Sequence, residues 1–150
     1  MSTSLKRLSF LSLLVILLAA CSPASASTMG TAPTLGNNPY APQPGDNALV
    51  RDTVQLVKAE TKNVGGSPAQ VDLNISYFLP NPCHQFRMVV SQPGTDGKVN
   101  IDMYSLTKKD QPCTLMALAT PMQVSFTLGN FPGGHYTIWI NGVKATEFDA

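Results

Sequence analysis

Three cysteines and two histidines are the residues of this chain whose chemistry could define a function. Cys83 is followed directly by His84, while Cys113 and His135 lie further along the chain. A thiolate beside an imidazole can act as a nucleophile, two cysteines with two histidines can hold zinc, and two cysteines alone can form a disulfide. The spacing is not that of a zinc finger, and neither a Gly-x-Ser-x-Gly elbow nor a calcium-binding loop is present. These residues therefore predict no enzyme, no metal and no cofactor.

The remaining cysteine, Cys21, follows a segment that is typical of an export signal. A Lys-Arg pair precedes the apolar residues 8–20, a stretch shorter than the roughly 20 residues that a membrane-spanning helix needs. The string Leu18-Ala19-Ala20-Cys21 resembles the lipobox of bacterial lipoproteins, in which a lipid is attached to the cysteine and the chain is cut before it. The resemblance implies a signal peptide over 1–20 and a lipid anchor on Cys21, with the protein in the cell envelope and facing outside the cytoplasm.

A second cleavage site lies just beyond this cysteine. Ala24-Ser25-Ala26 fits ordinary signal peptidase, and a cut there would release a soluble secreted protein. Either route removes Cys21 from the free thiols, by lipidation or by loss. Cys83 and Cys113 are then left to form one disulfide, in a compartment that permits it.

Composition divides the rest of the chain into a linker and one domain. Residues 21–47 are rich in Ser, Ala, Thr, Pro, Gly and Asn and offer little to bury, so we predict a disordered linker. Residues 48–150 suffice for a single domain. Without Lys6 and Arg7 the chain carries eight Lys and Arg against nine Asp and Glu, and it lacks the clustered basic face that nucleic acid requires. The expected partners are the membrane, through the lipid, and a protein or polysaccharide, but no nucleic acid.

Alternating apolar and polar residues predict strands through most of 48–150, most clearly over 71–79 and 122–128. Another strand runs into Asn141-Gly142, a strong hairpin signal because a type I′ turn needs positive φ at both positions. About seven strands without a long amphipathic helix predict an all-β, immunoglobulin-like antiparallel β-sandwich. The pattern favours Ile138 and Ile140 in the core with Trp139 outside, and a buried Trp139 is the alternative.

Two resemblances concern the second half of the chain. The segment from Pro132 to Gly142 resembles the penultimate strand of bacterial immunoglobulin-like and fibronectin III-like domains. That resemblance implies a corner role for Tyr136, whose hydroxyl would bond back to the backbone. Together with Leu-Pro-Asn-Pro-Cys-His at 79–84, this ending also resembles a group of secreted bacterial lipoproteins to which no established activity is attached.

Loops on a rigid scaffold usually carry function, and three hypotheses follow. The first is a non-enzymatic surface module that binds through loops at one end, 79–84 and 107–113. Pro80, Asn81, Pro82 and His84 are its candidate contact residues, with His84 facing solvent. The second is a secreted protease inhibitor that presents the same proline-bounded loop. The third, a small extracytoplasmic enzyme, would require a pocket in which His84 or His135 meets an acid.

Overall fold

The computed structural model describes residues 32–113 and 120–150. The predicted signal peptide, Cys21 and the Ala24-Ser25-Ala26 site lie outside the described residues. Within the described ranges, no helix has the length and hydropathy to cross a membrane.

The described part of the chain contains nine strands, which lie in two sheets, and one short 3-10 helix, Asp46–Ala48. Sheet I has the order β1-β7-β4-β3, and sheet II is built around β6, with β5 along one side and β2, β8 and β9 on the other. The predicted all-β sandwich is confirmed, with nine strands in place of about seven. The bounds are Thr34–Leu35 (β1), Val50–Asp52 (β2), Gln55–Gly66 (β3), Ala69–Phe78 (β4), Gln85–Val90 (β5), Lys98–Thr107 (β6), Met122–Phe131 (β7), His135–Ile140 (β8) and Val143–Asp149 (β9).

One pairing departs from the expected antiparallel pattern. β6 and β8 run parallel, with Lys98 opposite Thr137 and Ile101 opposite Ile140. Parallel neighbours need a long crossover connection, and here β7, which belongs to sheet I, lies between them in the chain. β8 therefore joins the interior of sheet II after the chain has visited sheet I, and β9 forms the edge strand beyond it.

The core follows the alternation in the sequence. Every second residue of β4 is buried, from Ala69 to Tyr77, as expected for a strand with one face against the other sheet. In β8, Ile138 and Ile140 are 0% and 2% exposed, while Trp139 lies on the outer face of sheet II, half-buried under the Lys98 side chain. The favoured orientation of this strand is therefore the observed one.

The N-terminal segment 34–48 differs from the predicted disordered linker, because it lies on the sandwich. β1 pairs with β7, where Gly36 and Gly129 permit the close approach: a Cβ on either would lie within 2.5 Å of a facing carbonyl oxygen. Tyr40 then packs edge-on against Phe86 of sheet II and Phe126 of sheet I. Composition alone missed this contact because a few aromatic and hydrogen-bonding side chains, and not a periodic apolar face, hold the segment.

The edge strands β5, β9 and β3 are each covered by side-chain hydrogen bonds or interrupted by bulges. At β5, the Met88 N–H donates to the Tyr40 carbonyl at 2.8 Å, and Asn38 Nδ2 donates to the Met88 carbonyl at 2.7 Å. At β9, Thr61 and Asn63 of β3 donate side-chain hydrogen bonds to the carbonyls of residues 147 and 149. The register of β3 against β4 shifts twice, at residues 57 and 64.

A buried tyrosine makes the fold sensitive to alkali. Tyr77 stacks on Phe86 with ring centroids 4.2 Å apart, and burial, with a smaller contribution from Tyr40, raises the pKa of Tyr77 to about 12. Because the unfolded state releases this proton nearer pH 10, the free energy of unfolding should fall as pH rises from about 10 towards 12. Urea titrations between pH 9 and 12 should show a shallower decline for Tyr77→Phe, and an unchanged decline would contradict the assignment.

Candidate functional site

The candidate site forms where one edge of β6 is shared by two strands. β8 pairs with β6 over residues 98–101, and β2 pairs with it over 105–107, so the stretch between them has no strand partner on that side. The Asn141 side chain fills this gap: its Oδ1 accepts a hydrogen bond from Met103 N–H at 2.7 Å, and its Nδ2 donates to the Met103 carbonyl at 2.9 Å. The Asn141-Gly142 turn has positive φ at both residues, 50° and 83°, as its sequence predicts.

The interruption leaves an open cleft of about 620 Å³ on this face. That volume is within the range of small-molecule binding sites. Backbone and side chains of three elements line it: the β2 end, the middle of β6 and the β8–β9 turn. The lining residues are Arg51, Asp52, Thr53, Asp102, Met103, Tyr104 and Asn141.

An arginine–aspartate pair dominates the electrostatics of the cleft. Arg51 Nη2 donates to Asp102 Oδ1 at 2.6 Å, and the guanidinium lies 3.9 Å from the centroid of the Tyr104 ring. Arg51 and Asp102 are both about half exposed, so the pair adds little to stability. Its polar atoms are instead available to a ligand, above an aromatic side chain that is itself buried.

A second pair supports Tyr104 from the neighbouring strand. Arg87 lies opposite Tyr104 in the β5–β6 register, and its guanidinium donates to both carboxylate oxygens of Asp46, at 2.7 and 3.0 Å. The hydrogen bond from Arg87 holds the pKa of the Asp46 carboxyl below its ordinary value of 3.8. This bidentate contact also ties the N-terminal segment to sheet II.

Loss of the Asp46–Arg87 pair should change how the free energy of unfolding depends on pH in the acidic range. Because the pKa of Asp46 is lowered on folding, its contribution to stability is present above pH 3.8 and disappears as pH falls through the lowered value. Asp46→Asn should therefore reduce stability near neutral pH and flatten the loss of stability between about pH 5 and 2. Urea unfolding across that range measures the effect, and parallel curves for the two proteins would contradict it.

The predicted interaction loop lies beside the cleft and is tightly held. Cys83 and Cys113 form the predicted disulfide, which excludes the zinc-ligand and thiolate alternatives because both need free sulfur. Asn81 Oδ1 accepts hydrogen bonds from the Cys83 N–H at 3.0 Å and from His84 Nδ1 at 2.8 Å. Pro80 and Pro82 are exposed, so the loop presents its prolines outwards.

His84 is buried, in contrast to the predicted solvent-facing position. Its side chain is 5% exposed. Although β5 begins at Gln85, His84 continues the alternation of the buried residues Phe86 and Met88, and this places it on the inner face. Since Asn81 Oδ1 is an acceptor, Nδ1 carries the proton. Nε2 has no hydrogen-bond partner within the described ranges and lies 3.6 Å from Asp52 Oδ2, which itself lines the cleft. His84 therefore backs one wall of the cleft and is not a contact residue of an exposed loop.

The other two predicted residues lie away from the cleft lining. His135 is exposed, with Nδ1 2.8 Å from Asp149 Oδ1 and Nε2 3.6 Å from Glu147 Oε2, so both ring nitrogens face carboxylates. A hydrogen bond from Lys144 lowers the pKa of Glu147. The Tyr136 hydroxyl donates to the Pro132 carbonyl at 3.1 Å, the backbone contact that its resemblance implied.

Sequence reasoning did not find Arg51, Asp102, Tyr104 or Asn141 as site residues. They come from separate strands and a turn and form no motif. The only sequence signal was the Asn-Gly turn, which predicted a hairpin but not the bonding of its side chain to β6. Among the residues that the structure describes, no three His, Cys, Asp or Glu side chains are grouped as a metal site would need.

Comparison with known proteins supports the fold assignment. No curated protein and no solved structure matches this chain. Residues 73–150, just over half of the sequence, match the profile of the ORF11 beta-sandwich domain, a stretch that runs from β4 to the end of β9 and includes the β6 and turn residues of the cleft. The chain therefore belongs to the ORF11 beta-sandwich domain family.

Proposed function

We propose that this protein is a non-enzymatic binding module of the cell envelope, anchored by a lipid on Cys21, and that the cleft between β2 and the β8–β9 turn is its binding site. The observation that carries the binding role is the cleft itself: polar groups of Arg51, Asp102 and Asn141 converge there on a rigid sheet. Small-molecule sites usually combine a pre-formed concavity with a few placed polar groups. The disulfide supports an oxidising compartment outside the cytoplasm, where such bonds persist.

A photo-crosslinker placed in the cleft tests the binding role. Thr53 is exposed and lines the cleft, so Thr53→p-benzoylphenylalanine in the full chain should form adducts with envelope components on illumination of cells. Glu60→p-benzoylphenylalanine, on the exposed outer face of sheet I, is the matched control and should form few. Equal yields at the two positions, or no adduct at Thr53, would overturn the proposal that the cleft binds a ligand.

The anchor has a separate test. Mass spectrometry of the mature N-terminus should show Cys21 as the first residue with a diacylglyceryl group, and Cys21→Ala should move the protein from the membrane to the soluble fraction. A mature chain that begins at Ser27 would show that the protein is secreted and would end the lipid assignment.

The loop 80–83 favours protease inhibition as a second candidate function. Two exposed prolines, the disulfide and the Asn81 hydrogen bonds hold this loop in one conformation, and pre-organisation is what lowers the entropic penalty of binding. Inhibition assays against serine, cysteine, aspartic and metalloproteases test it. Inhibition that disappears when residues 80–82 are replaced by Gly-Ser-Gly would support this function, and no inhibition of any class would exclude it.

A further inference from the structure

The hydrogen-bonding capacity of the cleft indicates what kind of ligand it fits. Within residues 32–113 and 120–150, Arg51 uses one of its five N–H donors on Asp102, and Asp102 accepts that hydrogen bond through Oδ1 alone. Donors and acceptors that remain free therefore lie side by side in the space between β2 and the β8–β9 turn. A hydroxyl group can donate one hydrogen bond and accept another at the same time. It therefore matches the Arg51–Asp102 pair better than a group that can only donate or only accept.

Charge argues in the same direction. The cleft holds one cation, Arg51, and two carboxylates, Asp52 and Asp102. Next to it, Arg87 is neutralised by Asp46. At the Trp139 end the Lys98 ammonium adds a second cation, so two positive and two negative side chains surround the extended site. Because these charges balance, neither an anionic nor a cationic ligand gains from the net charge, and a neutral ligand is preferred.

Trp139 extends the site along the same face of sheet II. It lies opposite Asn100 in the parallel β6–β8 register, and Lys98 Nζ stands 4.0 Å from the ring centroid. An ammonium over the ring shows that this aromatic face accepts positively polarised groups. The C–H bonds of a sugar ring carry the same polarity, and a flexible lysine is easily displaced.

The spacing fits more than one sugar. Asn100, Asp102 and Tyr104 point to the same face of β6, and at about 3.3 Å per residue they extend over roughly 13 Å, on the order of two to three pyranose rings. The aromatic ring of Trp139 lies at one end of this row and the Arg51–Asp102 pair lies further along it. We infer that the cleft and the adjoining Trp139 bind a neutral oligosaccharide, an inference that rests on the proposed binding function.

Trp139 is the only tryptophan of the chain, so its fluorescence reports on this site directly. The full chain, in a polyoxyethylene detergent that carries no sugar, would be titrated with neutral gluco-, manno- and N-acetylglucosamine oligosaccharides of one to six units. At least one series should change the emission saturably, with the trimer bound about tenfold more tightly than the monomer, and calorimetry should give the same affinity.

Three substitutions connect that binding to the cleft. Asp102→Asn should weaken it about tenfold or more, the effect of losing hydrogen bonds to a charged group. Trp139→Ala, followed by calorimetry, should weaken it similarly, and Asn100→Ala provides a second β6 variant if Asp102→Asn unfolds. Glu60→Gln makes the matched carboxylate-to-amide change on sheet I and should leave affinity unchanged.

Two results would overturn the inference: binding of none of these sugars, or sugar binding that the cleft variants do not alter. The Thr53 crosslink separates this failure from failure of the binding function. If the crosslinked ligand is a saccharide, periodate should cleave its vicinal diols and shift the adduct towards the mobility of the unmodified chain, and mass spectrometry should find hexose or N-acetylhexosamine on the peptide that contains position 53. Adducts that periodate does not shift, and in which mass spectrometry finds peptides of a second protein, would leave the binding function standing and exclude the saccharide.

Discussion

Replacement of Cys83 and Cys113 together by alanine is expected to lower the free energy of unfolding by about 3 to 4 kcal/mol. The disulfide joins residues separated by 30 positions in the chain, and the entropy that it removes from the unfolded state grows with the length of that loop. For a domain of this size the midpoint of thermal unfolding should fall by roughly 10 to 15 °C. Because domains of this size are marginally stable, a loss of about 3 to 4 kcal/mol would be a large share of the total free energy of unfolding.

The control for this experiment is the reductant itself. Unaltered protein in excess dithiothreitol should melt close to the double variant, and the double variant should not respond to reductant. Asn81→Ala, which removes the side-chain hydrogen bonds of the same loop but keeps the disulfide, should cost less, about 1 to 2 kcal/mol. A double variant that melts at the temperature of the unaltered protein would show that the loop is held by other contacts.

Asn141→Gly is expected to destabilise the protein by about 2 kcal/mol, although glycine suits the turn better than asparagine does. The substitution removes both hydrogen bonds to Met103 and leaves that residue's N–H and carbonyl without a protein partner, at about 1 to 3 kcal/mol for each group that water does not reach. Asn141→Ala should cost about 1 kcal/mol more, because alanine must also adopt the positive φ of 50°.

Asp110 offers a matched control for the effect of placing glycine at a position with positive φ. It has a similar φ of 55° and is exposed, but no hydrogen bond of its side chain is found within the described ranges. Asp110→Gly should therefore leave stability unchanged or raise it slightly. If Asn141→Gly behaved in the same way in urea unfolding, the hydrogen bonds from Asn141 to Met103 would not contribute to stability.

Local sequence patterns could predict the strands, the turn and the disulfide, because residues close together in the chain, or a few residues of one type, determine them. Alternation predicted β4 and its buried face, and the Asn-Gly pair predicted the β8–β9 turn. The predicted export signal set Cys21 aside, and the remaining two cysteines predicted the disulfide. The pleat of a strand determines the alternation, and the backbone conformation of two residues determines the turn. The redox state of the compartment determines whether the cysteines pair.

The site could not be predicted in this way. Arg51 and Asp102 are 51 residues apart in the chain, and they meet only because β8 inserts in parallel beside β6 and stops short of β2. His84 was predicted to face solvent, but it lies on the inner face in alternation with the buried residues of β5. The segment 34–48 lacked periodicity because its contacts are made by Asn38, Tyr40 and Asp46, side chains that hydropathy does not register.

The occupied edges of the two sheets have a consequence for the proposed lipid anchor, which would crowd copies of the protein together. Exposed strand edges are templates for pairing with other chains, which leads to aggregation. Here the N-terminal segment covers β5, side chains of β3 bond to the carbonyls of β9, and two bulges interrupt β3. If the proposed anchor holds copies side by side, each copy would therefore meet few free backbone groups on its neighbours, and the proposed anchoring would not by itself promote pairing between sheets.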